Sequence, residues 1–163
     1  MIQGKKIFFR ALQDEDVERL RQWRQDPELA KYCCTSLPIS QMEQRQWYET
    51  YANNKSYRVL IVEDESHHPI GYALIKNIDH MNRNAEIGMY LDPEAQGKGY
   101  GKDGFYTLTK FCFHELNMHR VYLVVFPFNE RAVQLYKTLG FQIEGTFRDA
   151  YFKANQYHDI YVM

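Results

Sequence analysis

Three glycines fall within six residues in Gln96-Gly97-Lys98-Gly99-Tyr100-Gly101, directly ahead of a run with helical spacing. The chemistry open to such a segment is phosphate binding. The first N–H groups of a helix have no acceptor within it, and the helix dipole concentrates positive charge there. Glycine adds dihedrals and close approaches that other residues resist. A flexible turn before a helix looks the same, so the loop alone names no ligand. The pattern G-x-x-x-x-G-K-[ST] is absent. Gly99-Tyr100-Gly101-Lys102-Asp103-Gly104 does satisfy G-x-G-x-x-G. A dinucleotide site also needs an acid about 20 positions later, at the end of the next strand. Leu123-Val124-Val125 stands there instead. Lys98 and Lys102 flank the loop, either adding charge beside a phosphate or serving solubility.

The other reactive side chains are dispersed. Cys112 sits between Phe111 and Phe113 in a helical pattern and reads as a packed thiol rather than a nucleophile. Cys33 and Cys34 are adjacent, and a total of three cysteines without ligand spacing fits a reducing compartment. The six histidines are scattered, with His67-His68 beside a proline turn, so no metal is expected.

The elements that must position the loop follow from periodicity and punctuation. Ile7-Phe8-Phe9-Arg10 reads as a first strand, and Asp14 as the N-cap of a helix that buries Val17, Leu20 and Trp23 until Asp26-Pro27. Ser40-Gln41-Met42-Glu43 is a capping box that opens a helix carrying Trp47, Tyr48 and Tyr51, ended by Asn53-Asn54. Strands are expected over 57–62, 70–75 and 85–91 as an antiparallel meander closed by Asp92-Pro93. A helix over about 99–116 carries Phe105, Leu108, Cys112 and Leu116. The apolar run 121–126 suits one strand buried on both faces. A helix over 130–139 is capped by Asn129 and stopped by Gly140. Segments 141–144 and 151–162 complete the sheet. The class is α/β in the mixed-sheet sense, mostly antiparallel with one parallel strand-helix-strand unit, as a single domain over 1–163.

Composition narrows the partners. At 163 residues the chain is long enough for a real core. With 20 Lys and Arg against 21 Asp and Glu, no broad positive charge attracts a nucleic acid. No apolar run approaches the roughly 20 residues that span a bilayer, and Met1-Ile2-Gln3-Gly4-Lys5-Lys6 opens without a signal-peptide core. A cytoplasmic location with neither nucleic-acid nor membrane partner is the expectation.

Two spaced motifs then carry a resemblance. Gln96-x-x-Gly99-x-Gly101 resembles the pyrophosphate-binding motif of the GNAT acetyltransferases, Q/R-x-x-G-x-G/A. Asn129-x-x-Ala132-x-x-x-Tyr136-x-x-x-Gly140-Phe141 resembles that family's second signature, and Ala85-Glu86-Ile87-Gly88-Met89-Tyr90-Leu91 its strand before the loop. The element order is similar over essentially the whole chain. Around Trp23-Arg24-Gln25-Asp26-Pro27-Glu28 and over 141–148 the sequence is similar to the subgroup of ribosomal-protein, spermidine and amino-sugar acetyltransferases.

The resemblance implies an acetyl-CoA-dependent N-acetyltransferase acting by direct transfer on a primary amine. It implies that Gln96, Gly97, Lys98, Gly99, Tyr100, Gly101 and Lys102 bind the cofactor's diphosphate. Main-chain groups of Met89, Tyr90 and Leu91 would line its pantetheine arm on a splayed strand, Asn129 would contact that arm, and Tyr136 would stand beside the sulfur as general acid. Taken alone, Tyr136 reads as a buried-face tyrosine beside Ala132, Leu135 and Leu139. An alkylamine with a pKa near ~10 must lose a proton before it attacks. Glu86, on one face of its strand with Gly88 and Tyr90, is the preferred base, directly or through water. Some family members carry a base glutamate on the next strand. Leu123-Val124-Val125 has none, so a strand glutamate in an ion pair and a catalytic water chain stay open beside it. Dimers are common in the family.

The acceptor stays open among polyamine, amino sugar, small amine and protein N-terminus. Asp26, Glu28, Glu43 and Glu49 would favour a cation if they line the cleft, and are exposed helix residues otherwise. A non-catalytic acetyl-CoA-sensing module is the alternative from another class.

Overall fold

The computed structural model describes residues 1–32, 37–52 and 54–163. Cys33, Cys34 and the helix stop at Asn53 lie outside them. Strands β1 (Ile2–Gln3) and β2 (Phe8–Ala11) lead through a 3₁₀ turn at Asp14–Asp16 into helices α1 (Val17–Gln25), α2 (Pro27–Ala30) and α3 (Gln41–Ala52). The meander β3 (Arg58–Glu63), β4 (Pro69–Asp79) and β5 (Asn84–Leu91) follows. Next come α4 (Tyr100–His114), β6 (Arg120–Tyr122), β7 (Val124–Val125), α5 (Glu130–Thr138), β8 (Gly145–Lys153) and β9 (Gln156–Val162). One sheet has the order β1-β2-β3-β4-β5-β6, and a second the order β7-β9-β8. Neighbours are antiparallel except β5 and β6, which pair in parallel around the α4 crossover.

Register decides what each face of the large sheet buries. Phe9 opposite Val62, Ala73 opposite Met89 and Ile75 opposite Ile87 form one face. It packs on Phe105, Leu108 and Cys112 of α4 and Val133 of α5. Ile61 opposite Tyr72, and Tyr72 opposite Tyr90, form the other, under Leu20, Trp23 and Leu29 of the first helices. Alternation along each strand therefore sends neighbouring residues into different cores.

Several local expectations hold. The capping box is present: Ser40 N–H donates to Glu43 Oε2 at 2.8 Å, and Glu43 N–H to Ser40 Oγ at 3.1 Å. Asp26-Pro27 ends α1 and restarts the chain as α2, with Asp26 Oδ1 accepting from Glu28 N–H and Leu29 N–H.

Four expectations are corrected. Asp14 is not the cap of the first helix, because Asp16 takes that place and its carboxylate accepts from Gln13 N–H at 2.9 Å. The run 121–126 is two strands in different sheets. Tyr122 pairs with Glu86, whereas Leu123 exchanges 2.9 Å bonds in both directions with Met163. Residues 141–144 form no strand. Segment 151–162 is a hairpin, not one strand, turning at Ala154 and Asn155 with φ of 51° and 62°.

One ion-pair cluster ties the first strands to the first turn. Arg10 donates to Asp16 Oδ2 at 2.6 Å, to Asp16 Oδ1 at 2.9 Å and to Glu63 Oε1 at 2.6 Å. Asp16 and Glu63 are buried at 3% and 6% exposure. Burial pushes the Asp16 carboxyl up, but the hydrogen bonds from Arg10 and Gln13 and the Arg10 charge outweigh it, and its pKa lies below the ordinary value. A depressed carboxyl contributes stability above the unfolded-chain pKa near ~3.9 and loses it as pH falls through the folded value. Arg10→Ala strips two buried carboxylates of their guanidinium, leaving Asp16 with the Gln13 N–H and Glu63 with His67 Nδ1 at 3.3 Å. It should lower the free energy of unfolding by roughly 3 kcal/mol in urea titrations at pH 7. The gap from the parent should narrow below about pH 4 as the Asp16 carboxylate protonates.

Candidate active site

The site begins where β5 loses a neighbour. Its parallel ladder with β6 runs over Asn84, Ala85 and Glu86 and ends at the Glu86–Tyr122 pair. Beyond it β5 continues to Leu91 paired only with β4, while the chain after Tyr122 joins the second sheet. Alternate main-chain groups of the stretch 87–91 therefore face a gap between the sheets with no strand partner. Met89, Tyr90 and Leu91, expected to line an extended ligand, lie on this stretch.

The glycine loop closes one end of the gap. Asp92 anchors it: its N–H donates to Ile70 O at 2.9 Å, and its Oδ2 accepts from Trp23 Nε1 at 3.0 Å. Gly97 and Gly99 have φ of 80° and 87°, where a Cβ is strained, and no heavy atom lies within 4 Å of a Cβ built on Gly97. Gly101 is different, since a Cβ there would meet Leu135 and Leu91 at 3.6 and 3.8 Å, ordinary contact that fits the Gly/Ala option of the motif. The first bond of α4 runs from Asp103 N–H to Gly99 O at 3.2 Å. The N–H groups of Tyr100, Gly101 and Lys102 precede it and have no acceptor in the helix. An open cradle with three free donors and exposed Lys98 and Lys102 fits a diphosphate.

Two of the expected ligands have structural partners. Gln96 Nε2 donates to Leu91 O at 3.3 Å and its Oε1 accepts from Arg131 at 3.3 Å, so its amide braces β5 against α5. The Tyr100 hydroxyl donates to Glu65 Oε2 at 3.0 Å.

Helix α5 faces the cradle from the other sheet. Asn129 caps it, its Oδ1 accepting from Ala132 N–H at 3.3 Å. Tyr136 packs edge-on against Phe105 at 4.7 Å and Phe141 at 6.2 Å. Burial holds its hydroxyl far above the usual tyrosine pKa, so it stays protonated. That hydroxyl has no hydrogen-bond partner among the described residues.

Glu86 lies on the opposite face of β5 and is 6% exposed. Its Oε1 pairs with Lys76 Nζ at 2.8 Å, and its Oε2 accepts from Asn77 Nδ2 at 2.9 Å. The ion pair read from sequence as the alternative is thus present, with its carboxylate buried and its ammonium partly exposed. Two residues on, Gly88 leaves open space on the same face, with nothing within 4 Å of a Cβ built there. Sequence reasoning missed the surroundings. Tyr57, pushed up to about 12 by burial first and then the Tyr51 charge, packs at a 40° tilt against Tyr51 with ring centroids 4.3 Å apart. Gln44, buried at 1%, accepts from Arg24 at 2.7 Å. The signal for Lys76 is that it is the first charged residue after the apolar run 70–75.

A mixed sheet splayed beside a parallel crossover, with a glycine-cradled helix start at the splay, offers an extended slot with anion-binding donors at one end. The sequence matches the acetyltransferase (GNAT) domain over residues 6–142, and the chain belongs to that family. It is 27% identical to spermidine N(1)-acetyltransferase of Escherichia coli K12 over 159 residues, covering 98% of this chain and 85% of that protein. It is 26% identical to an L-amino acid N-acetyltransferase of the same organism over 160 residues, covering 97% and 96%. The crystal structure of Vibrio cholerae spermidine N-acetyltransferase in complex with CoA and spermine superposes with a TM-score of 0.92 at 28% identity, covering 96% of this chain and 93% of that one. The chain is an N-acetyltransferase. No helix of the described residues is long and apolar enough to cross a membrane.

Cys112 is fully buried within α4, and burial alone pushes its thiol up to about 12. In a Cys33→Ser/Cys34→Ser background, a disulfide reagent such as DTNB should leave this thiol unmodified at pH 8 and react only on unfolding in denaturant. Rapid reaction of the folded protein would show that the thiol is reachable and reopen a covalent route.

Proposed function

We propose that this enzyme transfers the acetyl group of acetyl-CoA directly to a primary amine of a polyamine. The carrying observation is the parting of β5 from its parallel partner after Glu86, which opens a slot between glycine loop and α5. The bound thioester supplies an acetyl group open to attack by nitrogen. The N–H groups of Tyr100, Gly101 and Lys102 hold the diphosphate. The free edge of β5 at Met89–Leu91 and the Asn129 side chain hold the amide-bearing arm. Tyr136 keeps a proton for the leaving sulfur, and Glu86 accepts the amine proton, directly or through water entering beside Gly88. A buried Cys112 leaves no described thiol to carry the acetyl group. The polyamine acceptor is supported by the likeness to spermidine acetyltransferases, one of them complexed with spermine. An assay of thiol release across spermidine, spermine, amino acids, amino sugars and peptide N-termini tests it. The highest kcat/KM on a non-polyamine amine would overturn the acceptor while leaving the transferase class intact.

Two substitutions separate the roles. Tyr136→Phe should lower kcat about 10²- to 10³-fold, with calorimetric affinity for CoA unchanged because the ring packing is kept. Glu86→Gln should cost activity at neutral pH and recover toward alkaline pH, the deficit shrinking about tenfold per unit as the amine deprotonates unaided near ~10. A pH-independent deficit would remove Glu86 from proton transfer.

A further inference from the structure

A cation reaches the glycine loop from a part of the chain outside both motifs. The turn Gly4-Lys5-Lys6, between β1 and β2, lies across the first turn of α4. Asp103 holds it there: Oδ1 accepts from Lys5 N–H at 3.1 Å and Oδ2 from Lys6 N–H at 2.7 Å. The turn closes through Gly4 N–H to Ile7 O at 2.8 Å. The fit is close: a Cβ on Gly4 would lie 2.6 Å from Asp103 Oδ2 and 2.9 Å from Thr107 Oγ1, so one of those side chains would have to shift. From this mount Lys6 Nζ donates to the carbonyl of Lys98 at 3.2 Å. It stands 3.7 Å from the point that a Cβ on Gly99 would occupy.

An ammonium has three donors, and the Lys98 carbonyl takes one. A free lysine loses rotamer entropy when it settles on an anion, and Lys6 has lost part of it already through its fixed backbone and tethered head. The ammonium groups of Lys98 and Lys102 have no comparable tether among the described residues. The loop also needs a cation. Asp103 stands in the first turn of α4, and Glu65 accepts from the hydroxyl of Tyr100, so two carboxylates oppose an arriving anion.

We propose that Lys6 is a ligand of the acetyl-CoA diphosphate, with Asp103 as the residue that positions it, so that the phosphate site is assembled from two separate parts of the chain. This rests on the acetyl-CoA reading above. Calorimetry of the parent, Lys6→Ala and Lys6→Arg with CoA, 3′-dephospho-CoA and pantetheine tests it. Lys6→Ala should bind both CoA and 3′-dephospho-CoA about fivefold more weakly at low salt, with the difference fading at high salt. Lys6→Arg should restore most of the affinity. With acetyl-CoA as substrate the change should appear in KM and spare kcat, and relative to S-acetylpantetheine kcat/KM should fall about fivefold. Asp103→Ala should weaken both phosphorylated ligands although it removes a negative charge, and tighter binding would refute the positioning role. Unaltered affinity in Lys6→Ala overturns the proposal. So does a loss confined to CoA, which would place the cation on the ribose phosphate, or an equal loss for pantetheine, which would make it structural. Should Lys6→Ala fold poorly, Lys6→Gln carries the same comparison. A parent that binds none of the three ligands overturns the cofactor reading itself, an outcome distinct from a binding parent that is indifferent to Lys6.

Discussion

The whole site depends on where the backbone of Leu123 finds its hydrogen bonds. A buried N–H and C=O must be paired, and two sheets compete for them. Continued pairing with β5 would carry the ladder past Glu86 and seal that edge of the strand. Leu123 instead exchanges both bonds with Met163, and Val124 opposes Val162. The C-terminal strand thus draws β7 away from the large sheet. What is left along β5 is a row of polar main-chain groups flanked by packed helices, an arrangement that stays favourable only if water or a ligand completes it. An amide-bearing arm can pair with such an edge as a strand would.

Strand β5 also joins the two halves of the chemistry through its alternation. Ala85, Ile87 and Met89 press onto α4, where Gly104 comes so near that a Cβ would lie 2.6 Å from the Met89 sulfur. That approach places the start of α4, and so the free N–H groups, at the end of the same strand. Glu86, Gly88 and Tyr90 face the first helices, and Tyr90 stacks on Tyr72 at 4.9 Å with Trp23 beyond. One short strand therefore positions the glycine loop and α4 through its odd residues and the core under the first helices through its even ones. Neither can shift without the other, because the core on each side is close-packed.

Features written in backbone chemistry were legible in the sequence. Gly97 and Gly99 need positive φ, Ser40 and Glu43 need each other, and Asn129 needs only the three residues after it. Each signal is local and survives any tertiary context. The run 121–126 was misread because hydrophobicity reports burial without saying which strand provides the partner. Leu123 is buried under either pairing, and only the long-range bond to Met163 chooses. The hairpin at Ala154-Asn155 escaped because its turn lacks the usual glycine, and Asp14 was preferred over Asp16 because the partner that buries Asp16 is Arg10, which the sequence shows only as part of a strand. Gln44 was invisible for the same reason, since a buried glutamine is explained only by the guanidinium of Arg24.

Glu86 shows how the fold holds a buried carboxylate in one orientation. The ladder between β4 and β5 slips between Lys76 and Asp79, and Asn77 within that slip has φ of 52°. Asparagine tolerates this conformation better than most residues. The slip is a bulge in effect, and bulges re-aim side chains. Here two consecutive residues, Lys76 and Asn77, both reach Glu86, which regular alternation would forbid by sending one of them to the far face. The carboxylate is gripped on both oxygens and still keeps lone pairs, since an ionised carboxylate offers about four acceptor sites. Its neighbour on that face is Gly88, where the strand leaves room. A glutamate that only stabilised the sheet would gain more from a side chain packed against it. The open space beside it is a feature that a structural ion pair does not require and that the proposed proton transfer uses.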